Sequence, residues 1–360
     1  MKHPRFLSSH RLMFGLATAQ GAVFLLAWVL FGVPLSDGAA WHAHEMIFGQ
    51  AIAVIGGYLL SSVGMRLLAA GALAWLAARA AILVPGVADE LRAALSVAAT
   101  ATIVLPAARA FLRGVKRPGN VVFPVLLGGF VAADALFLLG QFHSWDRMTE
   151  AGVWLGLGLV VLLIAAMGGR LLSAAASGAA QRGGGGRIPP RPGLEAALLG
   201  LLAAGFVAEA AADAALVGAT LFAAGGVLLG YRVALWIPGL RRSGGDVLAL
   251  AAGQLWLGLG FVAWWMAAAG LIPLPGLAAL HLATIGGIGG TLLVMTMRAA
   301  AQREGRAMPR RAAPVVAGLM GAAAIIRAVA PPDWGWPMAV TLWTGASLVA
   351  AAFVFRAREH

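Results

Sequence analysis

Apolar stretches of about twenty residues recur from one end of the chain to the other, separated by short polar or glycine- and proline-rich breaks. A stretch of that length crosses a bilayer as a helix, and a helix satisfies its own backbone hydrogen bonds in lipid. Twelve spans are predicted, at residues 12–33, 42–65, 67–84, 88–110, 120–140, 150–172, 193–210, 213–231, 246–269, 276–299, 312–330 and 335–355. The pattern therefore predicts an all-α fold, a polytopic transmembrane bundle, with residues 1–360 as a single integral membrane domain. The signal is thinnest in the third, fourth, seventh and eighth spans, where Ala and Gly dilute it.

One break stands out. The segment SGAAQRGGGGRIPPRPG, Ser177 to Gly193, joins four successive glycines to three prolines, a composition that is flexible and then extended. It predicts a flexible cytoplasmic linker at 177–193 between a first set of six spans, 1–176, and a last set, 194–360. Many transporters are built from repeated halves. Here WHAHEM in the second span and LHLATIGG in the tenth share only a histidine, so no repeat is read.

Composition supports the membrane reading. The chain is 61% hydrophobic and 11% charged, against roughly a quarter charged in soluble domains. The basic residues then orient it. With both termini cytoplasmic, only Arg79, Arg92, Arg147 and Arg327 fall on the outer side, and the other 22 of the 26 Lys and Arg fall inside. The expected location is a bacterial inner membrane, crossed many times. The net charge of +12 then reflects contact with anionic lipid headgroups, and no nucleic-acid partner is expected. The first apolar stretch is too long for a cleaved signal core. Cysteine is absent, which excludes disulfides, thiolate metal sites and covalent haem attachment.

Candidate chemistry begins at WHAHEMIFGQ, Trp41 to Gln50, where two histidines and a glutamate open an apolar span. Titratable groups at that depth cost free energy unless they are paired. Seven histidines are present. His3 and His360 are terminal, His143 lies in an outer loop beside Asp146 and Glu150, and His10 borders the inner end of the first span. His42, His44 and His281 are all near the outer ends of their spans and can converge on one centre. Residues two apart on a regular helix point about 200° apart, so His42 and His44 cannot both face one small centre. Glu45 shares a face with His42 and can hold that imidazole in one tautomer; Met46 lies there too, as packing or as a soft ligand. In the tenth span, Gly286, Gly287, Gly289 and Gly290 strip bulk beside His281 and Thr284. Either small residues bring helices close, or a flat macrocycle lies over that face with His281 above its metal. Asp134 is either a proton acceptor near the same site or interfacial, and Gln254 is a further polar group within a span.

These blocks, HRLMFGLATA, WHAHEMIFG, ALFLLG, MGGRLL, LHLATIGGIGGTLLVMTMR and a downstream EGR, resemble in content and order those of the NnrS family. The resemblance covers nearly the whole chain. It implies a twelve-span membrane protein associated with haem and copper and with the bacterial response to nitric oxide. It also implies a haem b site drawing on His42, His44 and His281, with Glu45, Thr284, Gly286 and Gly287 around it. Further family histidines are replaced here: Leu138, Ala251 and Arg303 stand at their apparent positions, Gln254 stands for a tyrosine, and GMR at 64–66 replaces a Pro-Asn-Trp. A haem needs one or two histidines, whereas a copper centre of three imidazoles is hard to build from the set that remains.

Three readings compete. One is an NnrS-like b-type haem protein that binds or detoxifies nitric oxide, or passes electrons from quinol, possession of an enzyme activity being open. The second is a transporter or channel with an outer-face histidine site. The third is a haem-free structural or sensory subunit. The first is favoured. The GGGGR run precedes no helix with the lysine of a phosphate loop, and no nucleophilic triad can be assembled.

Overall fold

The computed structural model describes residues 9–31, 38–60, 64–84, 86–113, 121–211 and 215–356. Among these it is predominantly helical, with twelve continuous rods and no strand. They are α1 (Ser9–Phe31), α2 (38–59), α3 (Met65–Leu83), α4 (Asp89–Arg113), α5 (Val122–His143), α6 (Asp146–Arg182), α7 (Pro192–Ala211), α8 (Ala215–Leu240), α9 (Gly245–Ala268), α10 (276–304), α11 (Ala312–Val329) and α12 (Pro332–Phe355). Eleven are long and apolar enough to cross a membrane. The exception is α2, whose hydropathy is lowered by His42, His44, Glu45 and Gln50.

The all-α membrane architecture is as the hydropathy pattern predicts, with differences at the ends. The sixth span is expected at 150–172, yet α6 runs for 37 residues to Arg182. At about 1.5 Å per residue this exceeds the roughly 30 Å of a hydrocarbon core. The Ala- and Gly-rich stretch after Arg170 continues the helix, so the non-helical break starts after Arg182, later than the predicted 177.

Two of the rods are not regular. In α2 a π-helical turn, Glu45–Ala51, interrupts the regular stretches Gly38–His44 and Ile52–Leu59. In α10 the same happens at Leu282–Gly289. A π-turn inserts an extra residue, rotates the rest of the helix about its axis, and is frequent at functional sites. Among the described residues these are the two π-stretches, and they begin just after His44 and His281.

The chain forms two compact units. The first comprises residues 1–21, 33–160 and 354–360, and the second 22–32 and 161–353. In the first, α4 packs between α3 and α5, around a core that includes Met13, Phe14, Phe48, Ile52, Ile103, Phe130 and Phe137. The first half of α6 comes close because it presents Gly152 to the backbone of Phe137 and Gly156 to the ring of Phe48. In the second, α8 packs on α7 and α9, and α10 lies against α9 and α11. There Phe222 stacks on Phe261 at 5.0 Å and on Trp264 at 5.2 Å.

Candidate functional site: a buried histidine between two carboxylates

His44 ends the regular first stretch of α2 and is completely buried. An aromatic box fixes its ring: Phe137 stacks on it at 4.6 Å, Phe48 lies tilted at 4.9 Å and Trp41 meets it edge-on at 5.0 Å. Its Nε2 is 2.9 Å from Asp134 Oδ1, and its Nδ1 is 3.2 Å from Glu45 Oε1. Glu45 is the first residue of the π-turn. The wider turn lets the carboxylate of the very next residue reach back to His44, where the sequence had placed it beside His42. His42 itself is half-buried, one turn before Met46.

Asp134 is also fully buried. It lies nine residues before the end of α5, about 14 Å along the axis, and it acts as a buried acceptor. Besides His44 it accepts from Thr100, whose hydroxyl is 2.6 Å from Oδ2, and from Ser96 at 3.2 Å. Glu45 accepts from the Gln20 amide at 2.7 Å through Oε2, and Arg79 Nη1 is 3.3 Å from its Oε1. Arg79 Nη2 donates to Ser96 Oγ at 3.3 Å, which links the two carboxylates a second way. Gly49 makes this approach possible. A Cβ there would lie 2.9 Å from Arg79 Nη1 and 3.0 Å from Gln20 Nε2.

The hydrogen-bond count has a chemical consequence. A ring nitrogen facing an ionised carboxylate must donate, and a neutral imidazole has one N–H. Both bonds form together only if the ring is imidazolium or one carboxyl is protonated. Either way His44, Glu45 and Asp134 hold one proton beyond a neutral ring and two carboxylates. With that proton and the Arg79 charge the four groups sum to zero, which suits a low-dielectric interior.

The other predicted histidines are elsewhere. His281, in the second unit, is half-buried and its Nδ1 donates to the Leu277 carbonyl at 2.6 Å. That bond places the lone pair on Nε2, the form that ligates a metal. His143 is exposed and stacked on Trp145 at 4.6 Å, as its loop position predicts. His10 is buried at the start of α1, with its ring 6.4 Å from that of Phe14. His3 and His360 lie outside the described residues.

The glycine face beside His281 is filled by protein. A Cβ at Gly286 would lie 2.7 Å from the Trp256 indole, and one at Gly287 2.6 Å from Leu257. Gly289 receives Trp343 and Met320 in the same way. Small residues here bring helices together, and Thr284 is half-buried beside them.

A second polar cluster went unread in the sequence. Arg232, counted there among the inner basic residues, is 1% exposed in α8. It donates to Glu195 Oε2 at 2.7 Å, to Gln254 Oε1 at 2.6 Å and to the Ala165 carbonyl at 3.1 Å, and it lies over the Trp236 ring. The MGGRLL block takes its meaning from this cluster. A Cβ at Gly168 would lie 2.7 Å from the Gln254 amide, and one at Gly169 would collide with Glu195 and Arg232. Gln254, which stands where a tyrosine is expected, thus holds the guanidinium.

A model of the family described as NnrS protein matches residues 4–359. The chain belongs to the NnrS family. It is an NnrS-like membrane protein of the nitric oxide response. No curated protein and no solved structure matches it.

The NnrS family is associated with haem and copper, so the fit of the residues to each can be tested. Both His44 nitrogens face carboxylates, which leaves no lone pair for an axial bond. The face offered to a macrocycle is occupied by Trp256 and Leu257. As they stand, His44 does not fit an axial ligand and the glycine face beside His281 does not fit a macrocycle. Among the described residues no three His, Asp or Glu side chains are arranged to hold a metal ion. In the triad the two carboxylates stand on opposite nitrogens of one ring and share no common point.

Proposed function

We propose that this NnrS protein serves the nitric oxide response by taking up and releasing protons at the buried His44, Glu45 and Asp134 triad. One observation carries the reading: a fully buried imidazole meets a carboxylate at each nitrogen. Ionisable groups inside membrane proteins mark proton relays and ion pathways. Reduction of nitric oxide consumes protons and oxidation of quinol releases them, so a proton-holding centre serves either chemistry. The basic-residue asymmetry supports an inner-membrane protein with both termini cytoplasmic, and the triad then lies toward the outer face. The two sets of six spans on either side of the glycine-rich break are proposed as parts of one membrane domain. Anionic lipid, a diatomic gas and quinol are the proposed partners.

The test is infrared difference spectroscopy of lipid-reconstituted protein across a pH jump. A change in the carboxyl bands is expected in the wild type, by protonation or by a carboxylate shift as the imidazolium loses its proton, and is absent from Asp134→Asn. A wild type without such a change ends the reading.

A second reading has one observation in its favour. The Nδ1 bond of His281 to Leu277 sets the tautomer of a metal ligand, so a haem b carried on His281 with no ligand from His44 is the alternative. Purified protein, supplemented with haem, then shows a haem absorption spectrum that His281→Ala loses and His44→Phe keeps. Colourless protein rejects it.

A further inference from the structure

We propose that the crossing of α3 over the π-turn of α2 binds ordered water, which connects Arg79 to Glu45. The inference rests on the proton-handling reading and gives its centre a hydrated edge.

Three buried donors on the two elements of this crossing have no acceptor. Arg79 Nε and Nη1 make no hydrogen bond, although the residue is buried, and Gln50 Nε2 makes none either. The contact of Arg79 Nη1 with Glu45, at 3.3 Å, lacks hydrogen-bond alignment. Gln50 follows Gly49, against which Arg79 packs, and Trp75, one turn before Arg79, donates to the Gly49 carbonyl at 2.9 Å. Gln50 also lies in the same π-turn as Glu45. The unmet donors of Arg79 thus border Glu45 Oε1, with Gln50 on the same turn.

Unmet buried donors cost free energy, and in native structures they commonly mark a water or an ion. The charges choose between the two. The triad with its extra proton and Arg79 already sums to zero, so an added anion or cation would leave net charge in the membrane interior. Water adds none. It accepts from the guanidinium and from Gln50, and it donates to Glu45 Oε1, whose two present contacts are both long. Such a water takes one proton from the aqueous side, passes another to Glu45, and ends as water.

The experiment is X-ray radiolysis of lipid-reconstituted protein after exchange into H2(18)O, with labelled oxidation read by mass spectrometry. Bound water labels the aromatic groups beside it. Trp75 is buried beside the crossing at 4% exposure, and Trp264, at 9%, is buried against Phe222, on which it stacks. Labelling of Trp75 is expected to exceed that of Trp264 by about tenfold or more, the ratio for a free-energy difference of about 1.4 kcal/mol in water occupancy. It is expected to fall in Gln50→Leu, which keeps the volume and removes a donor. Equal labelling of the two tryptophans in the wild type overturns the inference, and so does a Gln50→Leu protein labelled like the wild type. The infrared titration on the same samples separates the two claims. A carboxyl band change with a dry Trp75 removes the water alone, and loss of that change removes the functional reading.

Discussion

His44 Nε2 lies 2.9 Å from Asp134 Oδ1, ninety residues away along the chain, with both side chains completely buried. The pair ties α2 to α5, and Glu45 on the other nitrogen carries the connection on to α1 and α3 through Gln20 and Arg79. Removing one partner leaves a charge or donor buried alone.

That sets the first prediction. Asp134→Leu is expected to destabilise the protein by about 3–5 kcal/mol, the usual cost of breaking a buried charged pair from one side. The double variant His44→Leu with Asp134→Leu should be less destabilised than Asp134→Leu alone, because no imidazole is then left without its carboxylate. Unfolding in detergent, followed by circular dichroism, measures both.

Gly49 gives a steric counterpart. Gly49→Leu drives a side chain into the Arg79 guanidinium and the Gln20 amide. A loss of about 1–3 kcal/mol is expected from overpacking. Gln20→Ala, which opens space next to the same position, should recover part of it. The same unfolding assay applies.

In the second unit, Gly286→Leu meets the Trp256 indole and is expected to cost about 1–3 kcal/mol, with partial recovery on Trp256→Ala. If that face instead lay open to a macrocycle, Gly286→Leu would leave the stability of cofactor-free protein unchanged.

Arg232→Met tests the inner cluster. It strands Glu195, which is 33% exposed in its side chain, and Gln254, which is buried. A loss of about 3 kcal/mol is expected from the broken pair, reduced when Glu195→Gln is added. Thermal unfolding of the single and double variants checks the order.

Orientation is testable apart from chemistry. Reporter fusions at Asp146 and Gly184, at the two ends of α6, should report opposite sides of the membrane, Asp146 outside. The same side for both would contradict the basic-residue asymmetry on which the orientation rests.

Hydropathy made the spans legible because lipid demands long apolar helices, and that demand acts locally. The family blocks were legible for the same local reason. The triad was half legible. WHAHEM announced a titratable site, and Arg79 and Asp134 stood as charged residues inside predicted spans, which is itself a signal of pairing. What could not be read is which faces meet. That depends on helix rotation, and the π-turn after His44 changes the rotation and gives Glu45 to His44 instead of to His42. The glycines of α10 left two readings open, of which the structure shows helix packing. Absent bulk looks the same in sequence whether a macrocycle or the Trp256 indole fills it. Arg232 was hidden because a basic residue near an inner helix end usually reaches the headgroups, and here α8 continues to Leu240, eight residues further.

The central claim is that His44, Glu45 and Asp134 together hold one exchangeable proton. Its most direct test is proton release by protein in lipid nanodiscs after an alkaline pulse, read with a pH-indicating dye. Release of about one proton more per chain than from Asp134→Asn is expected, since that substitution removes a carboxylate from the triad. Equal release by the two proteins, both folded, would contradict it.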